Sequence, residues 1–130
     1  MTIPLICLAV AVLLPYIWSP LSLSERRSRF GHVDFKTPRL QTAQLSERGA
    51  RAMGAHANAF EALTVFGAAV VVAHLTGANE TASAGLAVVW VVARIAHGLF
   101  YVWDVRLART GSFAVGLLCS LGLLGLAMGA

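Results

Sequence analysis

The chain has 130 residues, of which 58% are hydrophobic and 12% are charged, with a formal net charge of +4. Soluble domains carry about 25% charged residues, so this composition and a mean hydropathy of +0.74 exclude an ordinary soluble enzyme. They indicate an integral membrane protein. A spanning helix needs about 20 apolar residues, so the length predicts one all-α domain of four transmembrane helices over residues 1–130.

The first predicted span covers residues 3–23, an uncharged apolar run in which Pro15 and Pro20 should disturb the second half of the helix. No Lys or Arg precedes the run, so the basic start of a secretory signal peptide is missing and we interpret the segment as a retained span. The polar stretch from Glu25 to about Thr42 contains glycine, proline and mixed charges, which predicts a loop.

The other three spans are predicted at about residues 44–76, 81–103 and 111–129, with the tight turn "GANE" at residues 77–80. A tight turn makes the second and third helices antiparallel, and we expect a left-handed up-down bundle. Ser112, Gly116 and Ser120 recur every four positions in the last span. This spacing of small residues favours close packing against another helix.

Charge predicts the orientation of the bundle. The ten Lys and Arg residues lie in the first connection and the base of the second helix, in the third connection, or at Arg94 inside the third helix. The positive-inside rule therefore places both connections in the cytoplasm and both termini on the opposite side of the inner membrane. Basic loops at a membrane surface also explain the high pI, so we expect no nucleic-acid partner.

Polar side chains form one stripe on each of the two middle helices. Their spacing puts the members of each set near one helical face. The stripe on the second helix consists of Arg51, Asn58 and Glu61, and that on the third helix consists of Arg94, His97, Tyr101 and Asp104.

The two stripes lie at one depth. Glu61 is 17 residues before Ala78 and Arg94 is 15 residues after Asn79, a difference in height of about 3 Å. Ionisable groups inside a membrane face the bundle interior, form pairs and usually mark function. We therefore predict an ion pair between Glu61 and Arg94, surrounded by Asn58, His97 and Tyr101 and open to the cytoplasm.

Other interpretations of these residues remain. The pair and its neighbours could serve only to fix the register of the helices. A metal site formed by His56, His97 and Glu61 has suitable ligand types but no ligand motif, and we expect none. Cys7 and Cys119 lie in apolar runs without a neighbouring cation, so neither is expected to act as a nucleophile.

Two sequence segments, "RAMGAHANAFEAL" and "ARIAHGLFYVWDVRLART", resemble the MAPEG superfamily, the membrane-associated proteins of eicosanoid and glutathione metabolism. The specific motifs are A-H-x-N-x-x-E, with His56, Asn58 and Glu61, and R-x-x-H-x-x-x-Y, with Arg94, His97 and Tyr101. The resemblance covers nearly the whole chain. It is greatest to small bacterial members of the microsomal glutathione transferase type.

The resemblance implies a homotrimer that binds glutathione between subunits near the cytoplasmic side. It assigns binding of the tripeptide to Asn58, Glu61, His97 and Tyr101, with Arg94 in the same motif. It places Arg109 near the sulfur, with Thr110 or Tyr101 donating a hydrogen bond. An arginine at the end of the first helix would contact the peptide carboxylates, and the candidates are Arg26, Arg27 and Arg29.

The chain departs from the family pattern at three places. Gly54 stands where family members commonly carry arginine, and Arg51, one turn earlier, is the candidate replacement. Ala59 replaces an acidic residue, and the third connection lacks a proline and is shorter by one residue.

Two functions are consistent with these residues. The first is a glutathione-dependent transferase or peroxidase acting on small lipophilic electrophiles. The alternative is a catalytically silent trimeric membrane protein that binds a lipid or small anion in the same cleft.

Overall fold

The computed structural model describes residues 1–130 as an all-helical protein without strands. Helices α1 and α2 follow each other directly, and together with α4, α5 and α6 they give four helical segments long and apolar enough to cross a membrane. The helices are α1 (Ile3–Ile17), α2 (Ser19–Phe30), α3 (Pro38–Thr42), α4 (Glu47–Leu75), α5 (Glu80–Val102) and α6 (Arg106–Met128).

The first apolar segment continues as a helix beyond its predicted end. After a break at Trp18, α2 runs to Phe30 and stops at Gly31, whose φ of 75° ends the helix in a left-handed conformation. The loop predicted from Glu25 was therefore wrong as far as Phe30. The segment is polar because it leaves the apolar region, and Pro20 in its first turn is compatible with a new helix.

Helix α4 is longer than a membrane is thick. Its 29 residues extend about 44 Å, against about 30 Å of hydrocarbon. The side chain of Ser46 accepts a hydrogen bond from the Gly49 N–H and caps the first turn. The first turns of α4 therefore stand outside the apolar layer, beside the polar residues of α2.

Helix α6 begins at Arg106, five residues before the predicted start at residue 111. Asp104 adopts a left-handed conformation with φ of 58°, which allows the chain to reverse directly after α5. The short reversal leaves Arg109 in the first turn of a helix and Thr110 at the start of the second turn, and not in a loop. This position determines what the two side chains can contact.

The core lies between α1, α4, α5 and α6. Phe66 of α4 and Trp90 of α5 stack at its centre, with ring centroids 3.8 Å apart and an angle of 10° between the planes. Gly116 and Ser120 of α6 are buried, and a Cβ at Gly116 would lie 3.1 Å from Arg94 Cδ. The predicted packing role of small residues is confirmed at Gly116, which admits the Arg94 side chain between two helices.

Candidate functional site

Arg94 is the central buried charge of the site. It is only 6% exposed. Its Nη2 donates to the Asn58 side-chain oxygen and, at 3.1 Å, to the Asn58 backbone carbonyl. Because both acceptors belong to one residue of α4, this contact fixes α4 and α5 against each other at the depth that the sequence predicted.

The predicted ion pair between Glu61 and Arg94 is wrong. The structure contains two ion pairs, Arg51 with Glu47 at 3.6 Å and Arg106 with Asp104 at 3.9 Å. Glu61 lies one turn beyond Asn58 and about 60° further round the helix, so its carboxylate is exposed beside the guanidinium and not opposite it. Asn58 occupies the opposing position.

A cavity of about 160 Å³ joins these residues. Asn58 and Glu61 of α4 and Arg94 of α5 supply its polar wall. Trp90, Phe113, Gly116 and Ser120 are among the remaining lining residues. The polar stripe therefore faces an apolar compartment between α4, α5 and α6, and Glu61 shares this compartment with Arg94 without touching it.

The apolar and small side chains of this cavity were not predicted from the sequence as site residues. Gly116 and Ser120 were visible as small residues at four-residue spacing, but the spacing predicted helix packing and not a cavity wall. Trp90 and Phe113 gave no signal, because aromatic residues in an apolar span do not differ from other core residues.

His97 links α5 to the first turn of α6. Its Nδ1 lies 3.0 Å from the backbone carbonyl of Arg109, and because a carbonyl only accepts, Nδ1 carries the proton. Its Nε2 is buried without a partner, and the residue is 4% exposed. The hydrogen bond fixes the imidazole ring and holds the start of α6 close to the polar stripe of α5.

Tyr101 and Arg109 are stacked at the same end of the site. The Arg109 guanidinium lies 4.7 Å from the centroid of the Tyr101 ring, within the range of a cation–π interaction. The His97 ring meets the Tyr101 ring edge to face, with centroids 5.7 Å apart. The three side chains therefore form one contiguous group.

Gly54 explains how Tyr101 reaches this position. A Cβ at residue 54 would lie 2.7 Å from the Tyr101 hydroxyl and 2.8 Å from two ring carbons. No side chain fits at residue 54 while the tyrosine ring occupies that space. The glycine at residue 54 is thus coupled to the placement of Tyr101 against the α4 backbone.

The first turn of α6 carries two arginines, of which Arg106 forms an ion pair with Asp104 and Arg109 does not pair with an acidic residue. The turn itself contains no acidic residue, and Val105 provides no side-chain cap for its free N–H groups. Helix N-termini favour anions through these N–H groups and the helix dipole. The Thr110 hydroxyl is exposed and donates to the Arg106 carbonyl at 3.1 Å.

Arg51 lies at the edge of this group. Its Nε donates to the Val102 carbonyl at 3.3 Å, next to Tyr101, and its Nη1 pairs with Glu47. It therefore stands near the end of α5 but does not line the cavity that contains Arg94.

The arginines of α2 lie apart from the site within one subunit. Arg26 is buried and donates to the Thr42 hydroxyl, and Arg29 is exposed with its guanidinium 5.8 Å from the Phe30 ring. Arg27 is exposed beside a separate groove. None of the three contacts Asn58, Arg94 or Arg109.

His56 faces helix α1. Its Nδ1 lies 2.8 Å from the Pro15 carbonyl and 3.4 Å from the Ser19 hydroxyl, where α1 gives way to α2. Its ring also packs edge to face against Tyr16 and Phe60. The motif histidine is thus directed to the helix break, whereas His97 is directed to α6.

The family model for MAPEG proteins matches residues 3–129. The chain therefore belongs to the MAPEG family, and with its four apolar helices it is a multi-pass membrane protein. No curated protein and no solved structure gives a match.

Proposed function

We propose that this protein is a glutathione-dependent transferase or peroxidase that acts on small lipophilic electrophiles. In this proposal it forms a homotrimer, and glutathione binds between subunits near the cytoplasmic face. Family membership supports a glutathione-related membrane function. The observation that carries the proposal is a polar path along α5. Arg94 donates to Asn58, His97 lies one turn further along the helix and donates to the Arg109 carbonyl, and the Arg109 guanidinium stacks on the Tyr101 ring.

The polar groups at the two ends of this path differ in chemistry. Asn58 uses its side-chain oxygen for Arg94, which leaves its NH₂ group to donate to a peptide carbonyl or carboxylate. The exposed carboxylate of Glu61 can accept from the α-ammonium group of glutathione. Arg94 does not contact the ligand in this proposal. Its buried guanidinium orients the Asn58 side chain.

In this proposal the glutathione sulfur lies at the Arg109 end of the path. A neighbouring cation lowers the pKa of a thiol from about 8.5 and favours the thiolate, which is the nucleophile. Arg109 and the first turn of α6 supply this charge. Tyr101 donates a hydrogen bond, or Thr110 does so after its hydroxyl releases the Arg106 carbonyl. In conjugation the sulfur forms a bond to the electrophilic carbon, and the leaving group departs with the electron pair of the broken bond.

The site of one subunit is incomplete for such a ligand. Pockets for small molecules usually enclose about 300–1,000 Å³, and the cavity beside Arg94 encloses about 160 Å³. Glu61 is exposed at its edge, and Arg26 and Arg29 lie outside it. A neighbouring subunit that covers Glu61 and brings an α2 arginine to the carboxylates would complete the site.

Glutathione titration tests the proposal. Purified protein in detergent is titrated with glutathione while thiolate absorbance is followed in the ultraviolet, and conjugation of a small aromatic electrophile is measured in parallel. Arg109→Ala should abolish the thiolate signal. Arg48→Ala, which removes an equal charge from an exposed position on α4, should retain it. Absence of binding at millimolar glutathione would overturn the proposal.

A catalytically silent protein that binds a lipid or small anion in this cleft is the second candidate. One observation favours it: the Tyr101 ring fills the space beside Gly54, where family members commonly carry an arginine. Under this alternative Arg109 still binds an anion, but glutathione yields neither a thiolate signal nor a conjugate. The same titration therefore separates the two functions.

A further inference from the structure

A second polar cavity lies at the opposite end of the bundle from Arg109. It is formed by the start of α1, the end of α4 and the start of α5, and it encloses about 340 Å³. His74, in its wall, is 16 residues along α4 from Asn58, a distance of about 24 Å. We call it the turn-end cavity. Its polar lining residues are Thr2, His74, Asn79, Glu80 and Ser83.

Two hydroxyl groups of this cavity have no hydrogen-bond partner. Ser83 is 5% exposed, and its Oγ and the Thr2 Oγ1 are both buried and unpaired. Buried polar groups in proteins are nearly always satisfied by protein, water or ligand. Neither hydroxyl caps a helix. The first turn of α5 is capped by the Asn79 side chain, which accepts from the Ala82 N–H at 2.9 Å, and Thr2 at the start of α1 makes no side-chain cap hydrogen bond.

The charge of the turn-end cavity selects the kind of ligand. Glu80 is the only acidic residue in its wall, and no Lys or Arg lines it. The hydroxyls, the carboxylate and the amide oxygen can all accept hydrogen bonds. The Glu80 carboxylate and the carbonyl end of α4 outweigh the N-terminal ends of α1 and α5, which carry about half a positive charge each. The cavity therefore offers several acceptors and a net negative charge to a cationic donor.

The lining of the cavity also indicates which kind of ammonium group it can bind. Quaternary ammonium groups cannot donate hydrogen bonds and are typically bound over the faces of Trp, Tyr or Phe. None of these residues lines the turn-end cavity. A primary ammonium group has three N–H donors and matches the oxygen acceptors.

We propose that the turn-end cavity binds a primary ammonium group at the membrane surface. The end of an ethanolamine lipid headgroup carries this group, and free ethanolamine has the same chemistry. The site is separate from the proposed glutathione site. It would bridge the ends of α1, α4 and α5, of which the turn connects only α4 and α5.

Native mass spectrometry of the detergent-solubilised protein tests this proposal. The protein is mixed with equal amounts of phosphatidylethanolamine and phosphatidylcholine, with and without free ethanolamine. We expect preferential retention of phosphatidylethanolamine. Glu80→Gln should reduce this preference by about two- to fivefold, because the carboxylate is exposed and solvent screens its charge. Ser83→Ala should reduce it in the same direction.

Two controls keep the result interpretable. Thr81→Ala changes an exposed neighbour that does not line the cavity, so it should leave the preference unchanged. Ser83→Ala removes a hydroxyl that has no protein partner, so the lipid-free variant should melt at no lower temperature than the parent. Loss of the lipid preference without loss of stability would then be an effect on the ligand.

The competition with free ethanolamine distinguishes the two sources of the ammonium group, and the lipid preference tests the site itself. Displacement of the lipid by free ethanolamine supports a site for the ammonium group itself, and retention of the lipid under that competition supports the complete headgroup. Equal binding of the two lipids, together with no binding of free ethanolamine, would overturn the proposal. A lipid preference that survives both Glu80→Gln and Ser83→Ala would also overturn it.

Discussion

Gly54→Ala tests how tightly Tyr101 is packed against α4. The new methyl group would lie 2.7–2.8 Å from the tyrosine hydroxyl and ring carbons, closer than van der Waals contact allows. Overpacking of this kind costs about 1–3 kcal/mol. Alanine also gains about 0.5–1 kcal/mol over glycine inside a helix, which opposes the steric cost.

Gly67→Ala on the same helix is the matched control. A Cβ there would lie 3.5 Å from Leu8 Cδ1, which is an ordinary contact. The helix-propensity gain is common to both variants, so the difference in their free energies of unfolding isolates the steric cost. We expect Gly54→Ala to be less stable than Gly67→Ala by about 1–3 kcal/mol.

The assay is unfolding in mixed micelles of dodecyl sulfate, followed by circular dichroism and tryptophan fluorescence. Each variant is also made in a Tyr101→Ala background, where the ring is absent and Gly54→Ala should carry no steric cost. Equal stabilities of Gly54→Ala and Gly67→Ala in the parent protein would refute the coupling between residue 54 and the tyrosine. The same variant should weaken any glutathione-induced thiolate signal, because the displaced ring supports Arg109.

Three further predictions follow from individual contacts. Asn58→Ala removes an acceptor of the buried guanidinium and should cost about 1.5–3 kcal/mol of unfolding free energy, whereas a loss below about 0.5 kcal/mol would contradict that contact. His56→Ala leaves the Pro15 carbonyl without its side-chain donor and should cost about 1 kcal/mol in the same assay, with partial recovery in His56→Gln. The Thr37 hydroxyl and neighbouring N–H groups hold the pKa of Asp34 below its ordinary value of 3.8. Its contribution to loop stability is therefore present above that value and lost as the pH falls through the lower folded pKa, which an NMR titration of the carboxyl carbon would detect.

Several features of the site follow from local pattern and were predictable. The spacing of polar residues along α4 and α5 places each set near one face, and the short turn between the helices sets their relative depth. Asp104 is the exception: it was predicted on the α5 stripe, but α5 ends at Val102 and Asp104 lies in the reversal that follows. The contact between Arg94 and Asn58 confirms that the two stripes meet. These predictions succeed because helical periodicity and rise per residue depend only on the chain itself.

The end of the first helical segment shows where local pattern was insufficient, whereas the break at Trp18 lies between Pro15 and Pro20, where a disturbance was predicted. The charged residues after Leu23 were interpreted as a loop because the apolar run ends there, although the helix continues to Phe30. Composition reports where the chain leaves the apolar layer. It does not report where the backbone hydrogen bonds of a helix end, and the Gly31 conformation decides that point.

The sequence by itself determined the membrane class, the four apolar helices and the polar residues that share a depth, because composition and periodicity are properties of consecutive residues. Only the tertiary structure decided that Arg94 contacts Asn58 and not Glu61, that His97 is held by the Arg109 carbonyl, and that Gly54 leaves room for a ring from another helix. Those choices depend on the rotation of packed helices and on side-chain reach, where a shift of a few ångströms exchanges one partner for another.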